Sequence, residues 1–192
     1  MTEIPVIKCL VCNPYMQNTY VVHTDGQSNC LIIDAGMYTP AEQQAVTDYI
    51  REKQLSVAAI LITHAHPDHI CGIDWLKHTY PSALVIDYTY LRNNYSEHEP
   101  MLHLAGMDIC CLFTPGHKED CVCYYLQADN LMFSGDTLFR ESIGRTDLQG
   151  GNYQQLMQSL RYLTQLPANT TVYPGHSEPT TIGHEQRYNP FI

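Results

Sequence analysis

Thr63-His64-Ala65-His66-Pro67-Asp68-His69 puts four metal-ligand side chains within six positions. They directly follow Val57-Ala58-Ala59-Ile60-Leu61-Ile62, a continuous apolar run of the kind that fills a strand buried on both faces. Residues two apart at a strand's end project to the same side, so His64 and His66 can converge on one cation. Pro67 then turns the chain, and Asp68 and His69 face a second point nearby. Imidazole and carboxylate are the ligands preferred by zinc and neighbouring transition metals. Three further candidates end strand-like segments: His117 after Phe113-Thr114-Pro115-Gly116, Asp136 after Leu131-Met132-Phe133-Ser134-Gly135, and His176 after Val172-Tyr173-Pro174-Gly175. In each, a glycine lets the backbone turn so that the next side chain enters a shared cleft. Five histidines and two aspartates suffice for two cations that share one carboxylate.

The elements that must position these groups are legible in outline. Residues 4–12, 18–24 and 29–34 read as strands separated by Asn13-Pro14 and Asp25-Gly26. Thr39 and Glu42 have capping-box spacing, Pro40 takes the first helical position, and Val46, Tyr49 and Ile50 form an apolar face. A helix is expected from about Asp68 to just before Pro81, and strands at 83–87, 108–113, 121–126 and 131–135. Asn152 can cap a helix whose stripe is Leu156, Met157, Leu160 and Leu163; a strand near 170–173 and a short terminal helix complete the chain. The stretch from Asp87 to Met101, polar and aromatic without period, reads as a surface excursion. Strands interspersed with helices, without strict alternation, predict a mixed α/β (α+β) chain in which two sheets pack together with helices outside.

With 192 residues the expectation is one domain, residues 1–192. Twenty acidic against ten basic residues give a charge of −10, which argues against non-specific nucleic-acid or anionic-membrane partners. No apolar run approaches the roughly 18 residues of a membrane span. Met1-Thr2-Glu3-Ile4-Pro5 lacks the basic and apolar segments of a secretory signal, so a cytoplasmic location is expected, with the eight cysteines reduced. Cys9-x-x-Cys12 lies in an apolar strand without a second pair at zinc spacing, and its cysteines read as small buried hydrophobes.

His-x-His-x-Asp-His followed by Gly-His, Gly-Asp and Pro-Gly-His resembles the metallo-β-lactamase superfamily, from the Asn18/Tyr20 hairpin and Ile33-Asp34-Ala35-Gly36 to Asn189-Pro190. Gly135-Asp136-Thr137-Leu138-Phe139, Gly144-Arg145-Thr146-Asp147 and Thr180-Thr181-Ile182-Gly183-His184-Glu185 are similar to its glyoxalase II-like (hydroxyacylglutathione hydrolase-like) branch, especially short bacterial members. The resemblance implies a four-layer αββα sandwich with metals at its edge. It implies that His64, His66 and His117 bind one divalent cation, that Asp68, His69 and His176 bind a second, and that Asp136 bridges them. Zinc is the first choice; iron and manganese accept the same ligands. The implied reaction is hydrolysis of a small-molecule thioester, such as a hydroxyacylglutathione, by hydroxide held between the cations, with Asp68 orienting it.

The chain also departs from that branch. The single domain is expected to lack the C-terminal helical region of classical glyoxalase II. Arg145 takes the place of a basic residue that contacts substrate in the family, yet Asp147 stands where an aromatic is usual, and Lys118-Glu119-Asp120 replaces Thr-Pro-Gly after His117. The segment Gly144 to Gly151 is similar as well to persulfide dioxygenases, which implies an alternative: one iron on His64, His117 and Asp136.

Overall fold

The apolar runs pair into two sheets in the computed structural model, which describes residues 4–192. The first holds β1 (Pro5–Cys12), β2 (Gln17–Thr24), β3 (Asn29–Ile33), β4 (Ser56–Leu61) and β5 (Leu84–Ile86), in that spatial order. Its first three strands are antiparallel, and the steps β3–β4 and β4–β5 are parallel. Parallel neighbours need crossovers. These are α1 (Pro40–Glu52), then the pair α2 (Pro67–Ile70) and α3 (Ile73–Thr79). After α4 (Tyr88–Asn94) come β6 (Met101–Leu104), β7 (Met107–Phe113), β8 (Val122–Leu126) and β9 (Leu131–Gly135). The two-stranded ribbon β10 (Leu138–Phe139) and β11 (Ser142–Ile143), α5 (Tyr153–Leu163), β12 (Thr171–Pro174), β13 (Thr180–Thr181) and α6 (Ile182–Tyr188) follow. The second sheet runs β13-β12-β9-β8-β7-β6.

Three apolar layers fix the order helix–sheet–sheet–helix. Between the sheets, Tyr20, Leu31, Ile33 and Leu61 meet Ile109, Val122, Tyr124 and Phe133. Outside the first sheet, Val21, Ile32 and Ile60 pack on Val46 and Ile50 of α1 and Leu76 of α3. Outside the second, Cys123, Tyr125 and Met132 pack on Leu156, Leu160 and Leu163 of α5 and Ile182 of α6. Each large side chain buried this way contributes about 1.5–3 kcal/mol, so apolar burial is the main support of the sandwich. All eight cysteines are free. Among the described residues, no helix is long and apolar enough to cross a membrane.

Three expectations are corrected. The helix from Asp68 to Pro81 is two helices, because the Gly72 N–H donates to Ala35 O at 2.7 Å instead of continuing the first turn. A Cβ at Gly72 would lie 2.9 Å from Met37 O, so only glycine lets that loop pack there. The stretch 87–101 begins as α4, capped by Asp87 through Tyr90 N (2.7 Å), with Leu91 buried in the inter-sheet core. Cys12 is buried as expected, but Cys9 is exposed, since it faces outward on an edge strand.

Candidate metal centre

The structure brings His64, His66, Asp68, His69, His117, Asp136 and His176 to one edge of the sandwich, where they could form three overlapping ligand groups. His64 and His66 leave the end of β4, Asp68 and His69 lie in α2, Asp136 follows β9 and His176 follows β12. Glycine is essential in two approaches. Gly116, at φ +145°, lies against Leu156 of α5, where a Cβ would sit 2.3 Å from its Cα. A Cβ on Gly175 would lie 2.3 Å from Asp136 Oδ1 and 2.6 Å from His69 Cε1, so its role is to leave room for ligands.

Second partners set the tautomers. His117 Nδ1 donates to Arg145 O (2.7 Å) and His176 Nδ1 to Tyr15 O (2.9 Å); carbonyls only accept, so these nitrogens carry the hydrogen. His69 Nδ1 donates to Asp34 Oδ2 at 2.7 Å, and His64 Nδ1 lies 3.2 Å from Thr63 Oγ1. All four rings therefore aim a bare Nε2 inward when neutral. His66 presents Nδ1 instead, 3.0 Å from His64 Nε2 and 2.9 Å from His117 Nε2. One hydrogen cannot satisfy three converging nitrogens, whereas a cation can.

Asp136 lies between the two histidine groups: Oδ1 is 3.3 Å from His69 Nε2, and Oδ2 is 3.5 Å from both His117 Nε2 and His176 Nε2. Asp68 Oδ2 is 3.2 Å from His176 Nε2 and 3.7 Å from His69 Nε2. His69 Nε2 and Asp136 Oδ1 are buried without a hydrogen-bond partner among the described residues, although buried polar atoms are as a rule satisfied. Donor chemistry, convergence and these orphaned atoms all fit divalent cations.

Charge alternates among these side chains. Burial, then the neighbouring His69, His117 and His66, push the His64 pKa well below the ordinary histidine value. Burial opposes charge on His69 too, but Asp34 and Asp136 outweigh it and hold its pKa well above that value. Despite burial, the close approach and charge of His69, with charge from His176, hold Asp136 below the ordinary carboxylate value. Burial likewise raises Asp68, but the hydrogen bond from His176 and the charge of His69 lower it overall.

Arg145 lines the cavity of about 430 Å³ at the centre with His66, His117 and Leu148. Asp147 grips its guanidinium with two 2.7 Å hydrogen bonds. Sequence reasoning gave Asp34 no role. It is buried at the end of β3 with φ +60°, and accepts from Thr63 N (2.8 Å), Thr63 Oγ1 (2.8 Å) and His69 Nδ1. The signal was the segment Ile33-Asp34-Ala35-Gly36, which marks the family resemblance without showing what Asp34 holds. The β1–β2 hairpin also holds the His176 loop: Asn18 Nδ2 donates to Pro174 O (3.1 Å) and Ser177 O (2.8 Å), and Tyr20 Oη to Pro174 O (2.6 Å).

Asp120 ties two ligand loops: its Oδ2 accepts from Ala65 N at 3.2 Å and from Lys118 Nζ at 2.7 Å. Partners of this kind typically change metal affinity by about 10–100-fold. Asp120→Ala is expected to weaken the His64/His66/His117 site about tenfold, measured by competition with a chromophoric chelator; unchanged affinity would show that the loop holds itself.

The family model for the metallo-beta-lactamase superfamily matches residues 12–98 and 112–176. The chain is 36% identical to the "Probable metallo-hydrolase YqgX" of Bacillus subtilis (strain 168), over 93% of each chain. It is 32% identical to a hydroxyacylglutathione hydrolase of Francisella tularensis subsp. novicida (strain U112), over 78% of this chain and 59% of that one. Among solved structures it superposes on BLEG-1 B3 metallo-beta-lactamase (TM-score 0.87, 32% identity, 97% of this chain and 99% of that one). It also superposes on ETHE1 from Myxococcus xanthus (0.84, 30%, 96% and 83%) and on TTHA1623 in a di-iron-bound form (0.80, 31%, 96% and 100%). With αββα layers and a histidine–aspartate cluster at the sandwich edge, the chain belongs to the metallo-β-lactamase superfamily.

Proposed function

We propose that this protein is a binuclear metal-dependent hydrolase of small acyl thioesters. The observation that carries this reading is Asp136, whose two oxygens face different histidines, His69 on one side and His117 on the other. His64, His66 and His117 would hold one cation, Asp68, His69 and His176 the other, and Asp136 both. Zinc, iron or manganese suits these donors. Cations bound there supply Lewis acidity and lower the pKa of a coordinated water toward neutrality.

The chain's own residues do the rest. Asp34, Thr63 and the carbonyls of Tyr15 and Arg145 fix which ring nitrogen carries the hydrogen, so that the neutral rings turn their other nitrogen inward. Asp68, half-buried in the cavity lining, would accept a hydrogen bond from the attacking water or hydroxide and so orient its lone pair toward the substrate carbonyl. Arg145 and Leu148 wall the mouth where substrate enters. A thiol has a pKa of about 8.5, so a thiolate departs without a general acid. The likeness to a hydroxyacylglutathione hydrolase supports a thioester, although this chain spans only 59% of that relative.

A second reading, one iron on His64, His117 and Asp136 acting as a persulfide dioxygenase, draws on the likeness to ETHE1. The four further ligand groups at the same site favour two cations. Metal analysis with a thiol-release assay tests the choice. About two divalent cations per chain and thiol released from S-lactoylglutathione or simpler acyl thioesters are expected. One iron per chain with oxygen consumed on glutathione persulfide would overturn the hydrolase.

A further inference from the structure

The cavity at the metal centre shares part of its lining with a second one. Tyr15, Pro67 and Asp68 line both; the second, of about 310 Å³, is walled further by Pro14, Tyr38 and Cys71, and its exposed surface is almost entirely apolar. Tyr15 and Tyr38 leave 73% and 67% of their surfaces in solvent, and Tyr15 lines both cavities, so exposed ring surface extends from the centre into the second one. The walls are preformed. Glu42 takes Asn13 N on one carboxylate oxygen and Tyr38 N on the other, both at 2.8 Å, and so fixes the two sides of the groove relative to each other. Asn13 Nδ2 ties the floor through Gly36 O and Asp68 O, both at 2.9 Å.

Cations near the centre, by contrast, are already matched: Arg145 by Asp147, and Lys118 by Asp120 at 2.7 Å. On a chain of net charge −10, a dianionic thiol carrier finds no unmatched partner in either of them. Resting on the thioester reading, we propose that this groove receives an uncharged apolar arm of the substrate. The substrate class is then neutral acyl thioesters with an arm of several carbons.

Two series of substrates test this: acyl chains from acetyl to octanoyl on N-acetylcysteamine, and lengthening alkyl thiols carrying a fixed acetyl group. One series should gain about threefold to fourfold in kcat/KM per methylene over the first few carbons, which also says whether the arm is on the acyl or the thiol side. Tyr38→Ala should reduce that slope. Flat responses in both series, with thiol still released, overturn the groove and leave the hydrolase standing. A flat response together with a dimer in sedimentation assigns the groove to a second copy, which equally overturns it. Should no thioester release thiol although two cations are bound, the hydrolase reading falls. Calorimetry with uncleavable S-alkyl thioethers then decides the groove alone: affinity that rises with chain length upholds it, and constant affinity overturns it.

Discussion

Asp136→Ala is expected to strip both cations and to abolish turnover. The carboxylate is the group shared by the two histidine clusters, with Oδ1 toward His69 and Oδ2 toward His117 and His176. Outer partners of metal ligands already change affinity by about 10–100-fold, and a direct ligand is worth at least as much. A hundredfold loss at each of two sites lowers the doubly loaded fraction by roughly 10⁴ when metal is limiting. Elemental analysis after gel filtration should read well below one ion per chain. Asp136→Glu should fare no better, because Gly175 packs so closely on Oδ1 that even a Cβ would sit 2.3 Å away and an extra methylene has no room. An alanine variant that keeps its full metal content would remove the bridge and, with it, the binuclear mechanism.

Such a prediction can be drawn from sequence because His64, His117, Asp136 and His176 follow buried strands closely, a place local patterning marks well, while Asp68 and His69 come in the short helix that starts at Pro67. The strand before His64 is apolar on both faces, and Ile60 and Leu61 do face opposite cores. The capping box at Thr39 and Glu42 forms as its spacing predicts. What stayed hidden depends on contacts across the fold. The break between α2 and α3 exists because Gly72 bonds to Ala35, and neither residue's neighbours announce it. The short strands β6, β10, β11 and β13 gain their extended form from the strands beside them, and α4 is held by Leu91 in a core built by other segments. Arg145 and Asp147, two positions apart, are close enough for either pairing or substrate contact. The structure shows the pairing.

Asp34 is the strongest case of a role that sequence distance concealed, since its partner Thr63 lies 29 positions away. Asp34→Ala leaves three buried donors without acceptors, at about 1–3 kcal/mol each, and places alanine at a φ of +60°, which costs about another 1–2 kcal/mol. At roughly 2–4 °C per kcal/mol for a chain of this size, Tm should fall by at least about 10 °C and by as much as about 40 °C. Asp34→Asn separates folding from metal chemistry. Asparagine tolerates the left-handed backbone and fills the same space. Its oxygen must face Thr63 N, which can only donate, so its amide nitrogen takes the Oδ2 position against Thr63 Oγ1 and His69 Nδ1. Once that amide donates to His69 Nδ1, the ring must carry its hydrogen on Nε2, the atom aimed at Asp68 and Asp136, and it can no longer ligate. The asparagine variant should therefore stay folded, lose the cation on Asp68, His69 and His176, and titrate with no more than about one ion per chain, because Thr63 Oγ1, without its carboxylate acceptor, is free to donate to His64 Nδ1 and weaken the other site as well. Two ions bound with parental affinity would mean that the tautomer of His69 is set by something other than Asp34.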